Sequence, residues 1–307
     1  MKWHKLGRIF CPDNIYPWMI SHASVPFADY IENDIVKIYF SSRDNKSRSY
    51  TSWLLIDIKN PGKILKLADR PLLIPGRPGT FDDSGAMGSC LIDIDQKKFM
   101  YYIGWNLSTT VPFRNSIGLA ISNDKGETYE KFSDGPIIDR NVVDNYFTAS
   151  NCVLFDEGLF RMWYLSCIGW EFGEGNPKHK YHIKYAESND GVSWNRSGTV
   201  AINFKNEYEY AISVPRVIRD IDLYRMWYSY RAGYKIPSYR IGYAESIDGM
   251  NWIRKDEKVG INVSHSGWDS EMIEYPYIFD HKGERYMLYN GNGYGRTGFG
   301  LAILEQD

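Results

Sequence analysis

An interval of just over sixty residues governs this sequence. One strand-like pattern recurs as VKIYFSSRD (36–44), KFMYYIGWN (98–106), LFRMWYLSC (159–167), LYRMWYSYR (223–231) and ERYMLYNGN (284–292); aligned on Phe40, Tyr102, Tyr164, Tyr228 and Tyr289, its spacings are 62, 62, 64 and 61 residues. A second pattern precedes each copy and, aligned on Pro26, Cys90, Cys152, Pro215 and Pro276, repeats at 64, 62, 63 and 61 residues. Two independent anchors with one period mean that a single supersecondary unit is repeated. A third pattern follows as IGLAISNDKGETY (117–129), IKYAESNDGVSW (183–194), IGYAESIDGMNW (241–252) and a truncated FGLAI (299–303).

Each unit therefore holds three or four short β-rich runs bounded by Gly, Asn, Asp and Pro, the pattern of a four-stranded antiparallel blade. Five units predict an all-β, five-bladed β-propeller that occupies residues 1–307 as one domain. The last unit stops after its third strand, and the N-terminal WHKLGRIF is the unassigned strand that would close the ring and cover an open edge. The NDG and IDG turns suit a tight reversal, since Gly accepts positive φ and Asp bonds its own backbone. Asp124, Asp190 and Asp248 are thus read as turn residues, with the aromatic residue three after each Gly packing between blades. SNDKGETY resembles the Asp-box turn of sialidase propellers.

Bulk properties exclude some partners. A net charge of −2 gives no basic field for nucleic acid or an anionic membrane. The start MKWHKLGRIF lacks an apolar signal core, which predicts a cytoplasmic chain, monomeric or weakly oligomeric. Cys11, Cys90, Cys152 and Cys167 are scattered and read as reduced thiols rather than disulfides or metal ligands.

Chemistry is sought where the units differ at a shared position. Two residues before the second anchor stand Ser24, Gly88, Ser150, Ser213 and Glu274; five residues earlier stand Met19, Asp83, Asn145, Tyr208 and Asp269. Glu274 and Glu271 break the repeat and are the leading acid candidates. Asp83 and Asp269 are either loop caps or bases, and His22 is a base, a ligand or a satisfied polar group. Arg43, Arg48, Arg216 and Arg231 either hold an anionic group bidentately or pair with these acids. Trp105 and Trp170, with Trp18, are placed to stack on a sugar or to pack between blades. No ligand spacing announces a metal and no cofactor is required, although a carboxylate-rich pore with one His would suit calcium.

The repeated inner strand, the Y-x-x-Y/M-W-Y strand and the I-G-x-A-x-S-x-D-G-x-x-W strand resemble the five-bladed propellers of the arabinanase and β-xylosidase superfamily, including glycoside hydrolase family 43 and the mannoside phosphorylases. The resemblance implies inverting hydrolysis by three acids at the starts of inner strands. HASV stands where that family has D-P-S-V, so His22 falls at the base position. Blades three and four offer Ser150 and Ser213, and EYPYIF moves the general-acid pattern to Glu274 in blade five. Two readings follow. One is a glycoside-hydrolase-like enzyme of surface-polysaccharide metabolism acting on a carbohydrate, anionic or nucleotide-sugar substrate, with phosphorolysis as a variant. The other is a catalytically silent propeller that binds a glycan or protein at its pore.

Overall fold

The computed structural model describes residues 1–172, 177–233 and 236–305. After β1 (Trp3–Phe10), the strands group as the period predicts. The first group is β2 (Ser21–Glu32), β3 (Ile35–Arg43), β4 (Ser49–Asp57) and β5 (Ile64–Leu67). The second is β6 (Gly85–Ile94), β7 (Lys97–Leu107), β8 (Phe113–Ser122) and β9 (Glu130–Lys131). The third is β10 (Thr148–Asp156), β11 (Leu159–Glu171), β12 (Lys178–Ser188) and β13 (Val200–Ile202). The fourth is β14 (Ala211–Asp220), β15 (Leu223–Ala232), β16 (Ile236–Ser246) and β17 (Ile253–Arg254). The fifth has β18 (Glu274–His281), β19 (Glu284–Asn290) and β20 (Phe299–Leu304), and takes β1 as its outer strand, from Trp3 opposite Leu304 to Phe10 opposite Phe299. Within every group the pairing is antiparallel.

The innermost strands β2, β6, β10, β14 and β18 lie side by side in cyclic order, with β18 returning to β2, and the architecture is a β-propeller. A ring of hydrogen bonds joins the groups to one another. The backbone N–H of Gly88 donates to Thr51 Oγ1 (2.8 Å), Asn151 to Ser89 Oγ (3.1 Å), Val214 to Ser150 Oγ (3.0 Å), Tyr275 to Ser229 Oγ (2.7 Å) and Val25 to Asn290 Oδ1 (2.9 Å). Each group is thereby tied to the one before it, and the first to the last.

The core explains the aromatic period. Side chains alternate across a strand, so adjacent aromatics on the second strand face opposite neighbours. Tyr101 and Tyr102, Trp163 and Tyr164, and Trp227 and Tyr228 are all fully buried. Tyr101 and Trp163 each meet the NDG-type turn of the next group, and Lys37 does the same from the first. Lys37 Nζ donates to the Gly126 carbonyl (2.8 Å), the Tyr101 hydroxyl to that of Gly191 (2.9 Å) and Trp163 Nε1 to that of Gly249 (2.7 Å). Gly191 has φ +71°, and a Cβ there would come within 2.9 Å of the Tyr101 oxygen, so the turn needs glycine for both conformation and space. Trp194 meets Tyr101 and Trp252 meets Trp163, each edge-on at 6.1 Å, which places these aromatics between groups as the sequence reading expects.

Candidate active site

The innermost strands begin in an unusual backbone state. Val25, Val214 and Tyr275 have φ of +51°, +46° and +54°, each immediately before a proline and inside a register shift of its strand. Positive φ is costly for a β-branched residue, and the cross-strand bonds to Asn290, Ser150 and Ser229 hold these bulges in place. The bulges re-aim the residues beside them. Val25, Ser213, Val214 and Tyr275 all line a cavity of about 470 Å³ at this end of the strands.

Aromatic and apolar groups dominate its walls: Trp105, Phe113, Phe147, Tyr181, Tyr239 and Tyr294 are among them. Polar atoms come from Arg43, Ser47, Asn115, Ser150 and Ser213, with His179 stacked on Tyr181 at 4.6 Å. Arg43 has no ion pair among the described residues, and burial lowers its pKa. Burial, with a smaller contribution from Arg231, lowers the His179 pKa to about 4, so its imidazole is neutral near pH 7.

Glu274 opens β18 directly behind this wall. Its side chain is fully buried and neither carboxylate oxygen has a hydrogen-bond partner by geometry. Burial drives its pKa well above the usual carboxylate range; Arg231 and the Tyr275 hydroxyl act in the opposite sense without reversing the outcome. Arg231 lies over Tyr239 (4.3 Å) and Tyr294 (5.1 Å), donates to the Tyr294 hydroxyl and reaches the Tyr210 hydroxyl at 3.4 Å. Tyr181 and Tyr239 share a hydroxyl contact. A buried acid with a raised pKa is thus flanked by tyrosines and one guanidinium beside the cavity.

The other candidates are placed differently. Glu271 is exposed; its carbonyl accepts from Arg240 (3.0 Å), while its carboxylate is outside the cavity lining. Asp83 accepts from the Gly79 N–H (3.0 Å) and from Ser84 Oγ (2.9 Å), a loop cap. Asp269 is buried and accepts from Lys5 (2.7 Å) and the Tyr289 hydroxyl (3.1 Å). Its true counterpart in the second group is Asp82, one residue before Asp83, which accepts from Tyr102 (3.1 Å) and Lys131 (2.6 Å). Asp144 repeats the pattern with Tyr164 (3.0 Å), so these acids anchor tyrosines exactly twenty residues downstream. That spacing corrects the alignment of Asp83 over Asp269.

His22 bonds Ser21 Oγ through Nδ1 (2.9 Å), and burial, then Arg43 and Arg296, lowers its pKa to about 4. Arg48 pairs with Asp44 (2.8 Å) instead of facing the cavity. Arg216 is half-buried over the Tyr277 ring (3.9 Å), donating to the Ile278 carbonyl (2.8 Å). Arg43 and Arg231, offered as possible partners of the acids, form no ion pair with them among the described residues. Trp105 lines the cavity and donates to Ser49 Oγ (3.2 Å), whereas Trp170 stands behind Phe113 at 5.4 Å. All four cysteines are free. Among the described residues no three His, Cys, Asp or Glu side chains are placed to hold a metal, so the carboxylate-rich cluster considered for a pore calcium is not found there. Nor is any described helix long and apolar enough to cross a membrane.

An uncharacterised protein of Mycobacterium tuberculosis, Rv1502, is 44% identical over 305 residues, spanning 99% of this chain and 100% of its own. The chain belongs to that protein's family. No protein-family profile matches it. Among solved structures, a thermostable family-43 glycoside hydrolase aligns with TM-score 0.70 at 17% identity over 97% of this chain and 94% of its own. A structure from work on the GH130 mannoside phosphorylases and on hydrolases of β-1,2 mannosidic linkages in Candida mannan aligns with TM-score 0.70 at 15% identity over 99% and 93%. A glycosidase-like protein from Bacteroides thetaiotaomicron gives 0.73 at 18% over 98% and 96%. These likenesses are likenesses of fold.

Sequence reasoning missed the tyrosine wall. Tyr181, Tyr239 and Tyr294 lie at strand starts or in a turn outside the two anchor patterns, and only the period of the third strand, applied to its N-terminal end, would have brought Tyr181 and Tyr239 together.

Proposed function

We propose that this protein is a glycoside-processing enzyme built on one five-bladed propeller, with Glu274 as the proton donor to the departing sugar oxygen. The buried, unpartnered Glu274 carboxyl carries the reading, because a general acid must hold its proton near neutral pH. The aromatic walls suit sugar C–H faces, and the unpaired Arg43 suits an anionic substituent of the substrate. Glu274 does not itself line the cavity, whereas its neighbours Tyr239 and Tyr275 do, so the proton would reach the substrate through a tyrosine hydroxyl.

A specific observation favours phosphorolysis as the second reading. Inverting hydrolysis uses a second carboxylate as base. Among the described lining residues there is none, while Arg43 offers an unpaired cation. Inorganic phosphate would then attack the anomeric carbon as the glycosidic C–O bond breaks, and the leaving oxygen would take the Glu274 proton, releasing a sugar 1-phosphate.

The test is turnover across a panel of glycosides and nucleotide sugars, with and without phosphate. Glu274→Gln should lower kcat by about 10²–10⁴-fold with the fold intact. Undiminished turnover in that variant sinks the acid assignment. Phosphate-dependent sugar 1-phosphate selects phosphorolysis, and ligand binding without wild-type turnover across the panel selects the binding-module alternative.

A further inference from the structure

A second cavity of about 320 Å³ adjoins the first, lined by Arg114 on β8, Arg140 in the loop before β10, and Asn145, Tyr146, Trp170 and Phe172. Trp170 is its shared wall. This ring packs against Phe113 (5.4 Å), Phe147 (5.8 Å) and His179 (5.6 Å), all three of which line the central cavity. Arg114 immediately precedes Asn115 on β8, and Asn115 lines the central cavity, so one strand serves both spaces.

The charges here are unspent. Neither Arg114 nor Arg140 forms an ion pair or a side-chain hydrogen bond among the described residues, whereas nearby acids are engaged. Asp139 accepts from Ser116 (2.9 Å), Asp144 from Arg196 (2.8 Å) and Lys184 (3.2 Å), and Glu171 lies 3.6 Å from Lys180. Arginine is permanently charged and forks onto a carboxylate or phosphate, and aromatic faces accept the apolar side of a pyranose ring.

We infer that this cavity is a subsite for an anionic sugar unit, its oxyanion held by Arg114 and Arg140 and its ring carried on Trp170 and Tyr146. The inference rests on the sugar-processing reading and adds to it a substrate class: a saccharide whose unit next to the reacting sugar bears a carboxylate or a phosphate. It also gives Trp170 a place at substrate that the central cavity does not.

Binding, measured without turnover, separates the two proposals. Full-length Glu274→Gln protein is titrated calorimetrically with digalacturonate, with glucose 1-phosphate and with neutral cellobiose. The expected result is binding of an anionic probe at least about tenfold tighter than cellobiose, weakening with added salt. Preference for digalacturonate identifies a uronate, and preference for glucose 1-phosphate a phosphate ester. Arg114→Gln with Arg140→Gln should abolish the preference and Trp170→Ala should weaken every probe, while Arg70→Gln, at an exposed arginine elsewhere, changes nothing. Unaltered melting temperatures establish that the variants are folded. Anion affinity unchanged in the double arginine variant places the anion elsewhere and overturns the inference, as does the absence of binding by both anionic probes. Loss of catalysis in Glu274→Gln bears only on the acid assignment.

Discussion

At the scale of the single residue, Glu274 decides most. Its pKa is raised in the fold from an ordinary value of 4.5, so between that value and the raised one the folded state keeps a proton that the unfolded state releases. The sign follows: its contribution to stability is fully present below about pH 4.5 and is lost as pH rises, at up to about 1.4 kcal/mol per pH unit. Glu274→Gln should therefore gain stability relative to wild type as pH climbs from 5 to 7, measured by urea denaturation at each pH. Parallel curves for the two proteins would contradict a buried neutral acid. His22 and His179, both lowered to about 4, act in the other direction, favouring the fold as pH rises from 4 towards 6.5 in both proteins, which is why the difference between them is the informative quantity. Glu274 was legible in the sequence because it breaks a repeat at a position where the other units carry Ser or Gly. The acids read beside it were not distinguishable there, since a cap such as Asp83 and an anchor such as Asp269 differ only in which hydroxyl or amine reaches them.

At the scale of the element, the bulge at the start of each inner strand joins scaffold to site. Its N–H would be an unsatisfied donor were it not for a side chain from the preceding group, and a buried unmet donor costs about 1–3 kcal/mol. Ser229→Ala removes the acceptor for Tyr275 and frees a strained residue beside Glu274. The expected outcome is a loss of about 1–3 kcal/mol in chemical denaturation together with a lower kcat on any substrate the wild type turns over. Lost stability with kcat intact would mean that the bulge serves the ring alone. The strands themselves were readable, because aromatic pairs at a fixed period can be buried only between neighbouring sheets. The bulges were not: Val25–Pro26 and Val214–Pro215 look like extended pre-proline residues, and only the ring of hydrogen bonds stabilises their positive φ.

At the scale of the molecule, the question is what keeps a ring shut when its two ends are held by one short strand. β1 brings Trp3 edge-on to Trp227 at 6.4 Å and Lys5 to Asp269, and also the surface pair Lys2 with Glu305 at 2.7 Å. Lys5 lies on β1 and Lys2 immediately precedes it, and their ion pairs have different surroundings. Lys2 is 76% exposed and its partner 38%, so solvent screens them and the pair contributes at most about 1 kcal/mol. Asp269 is 2% exposed and also accepts from Tyr289, while Lys5 is 24% exposed. Removing Lys5 leaves a buried carboxylate with one neutral donor, a loss of about 3 kcal/mol, at the low end for breaking such a pair because Lys5 retains some contact with water. Lys5→Met should thus lower the unfolding free energy several times more than Lys2→Met and expose β20 to pairing with other chains, seen as concentration-dependent association in sedimentation. Equal, small effects of the two substitutions would mean that backbone pairing with β20 and the Trp3 contact close the ring without the buried charge.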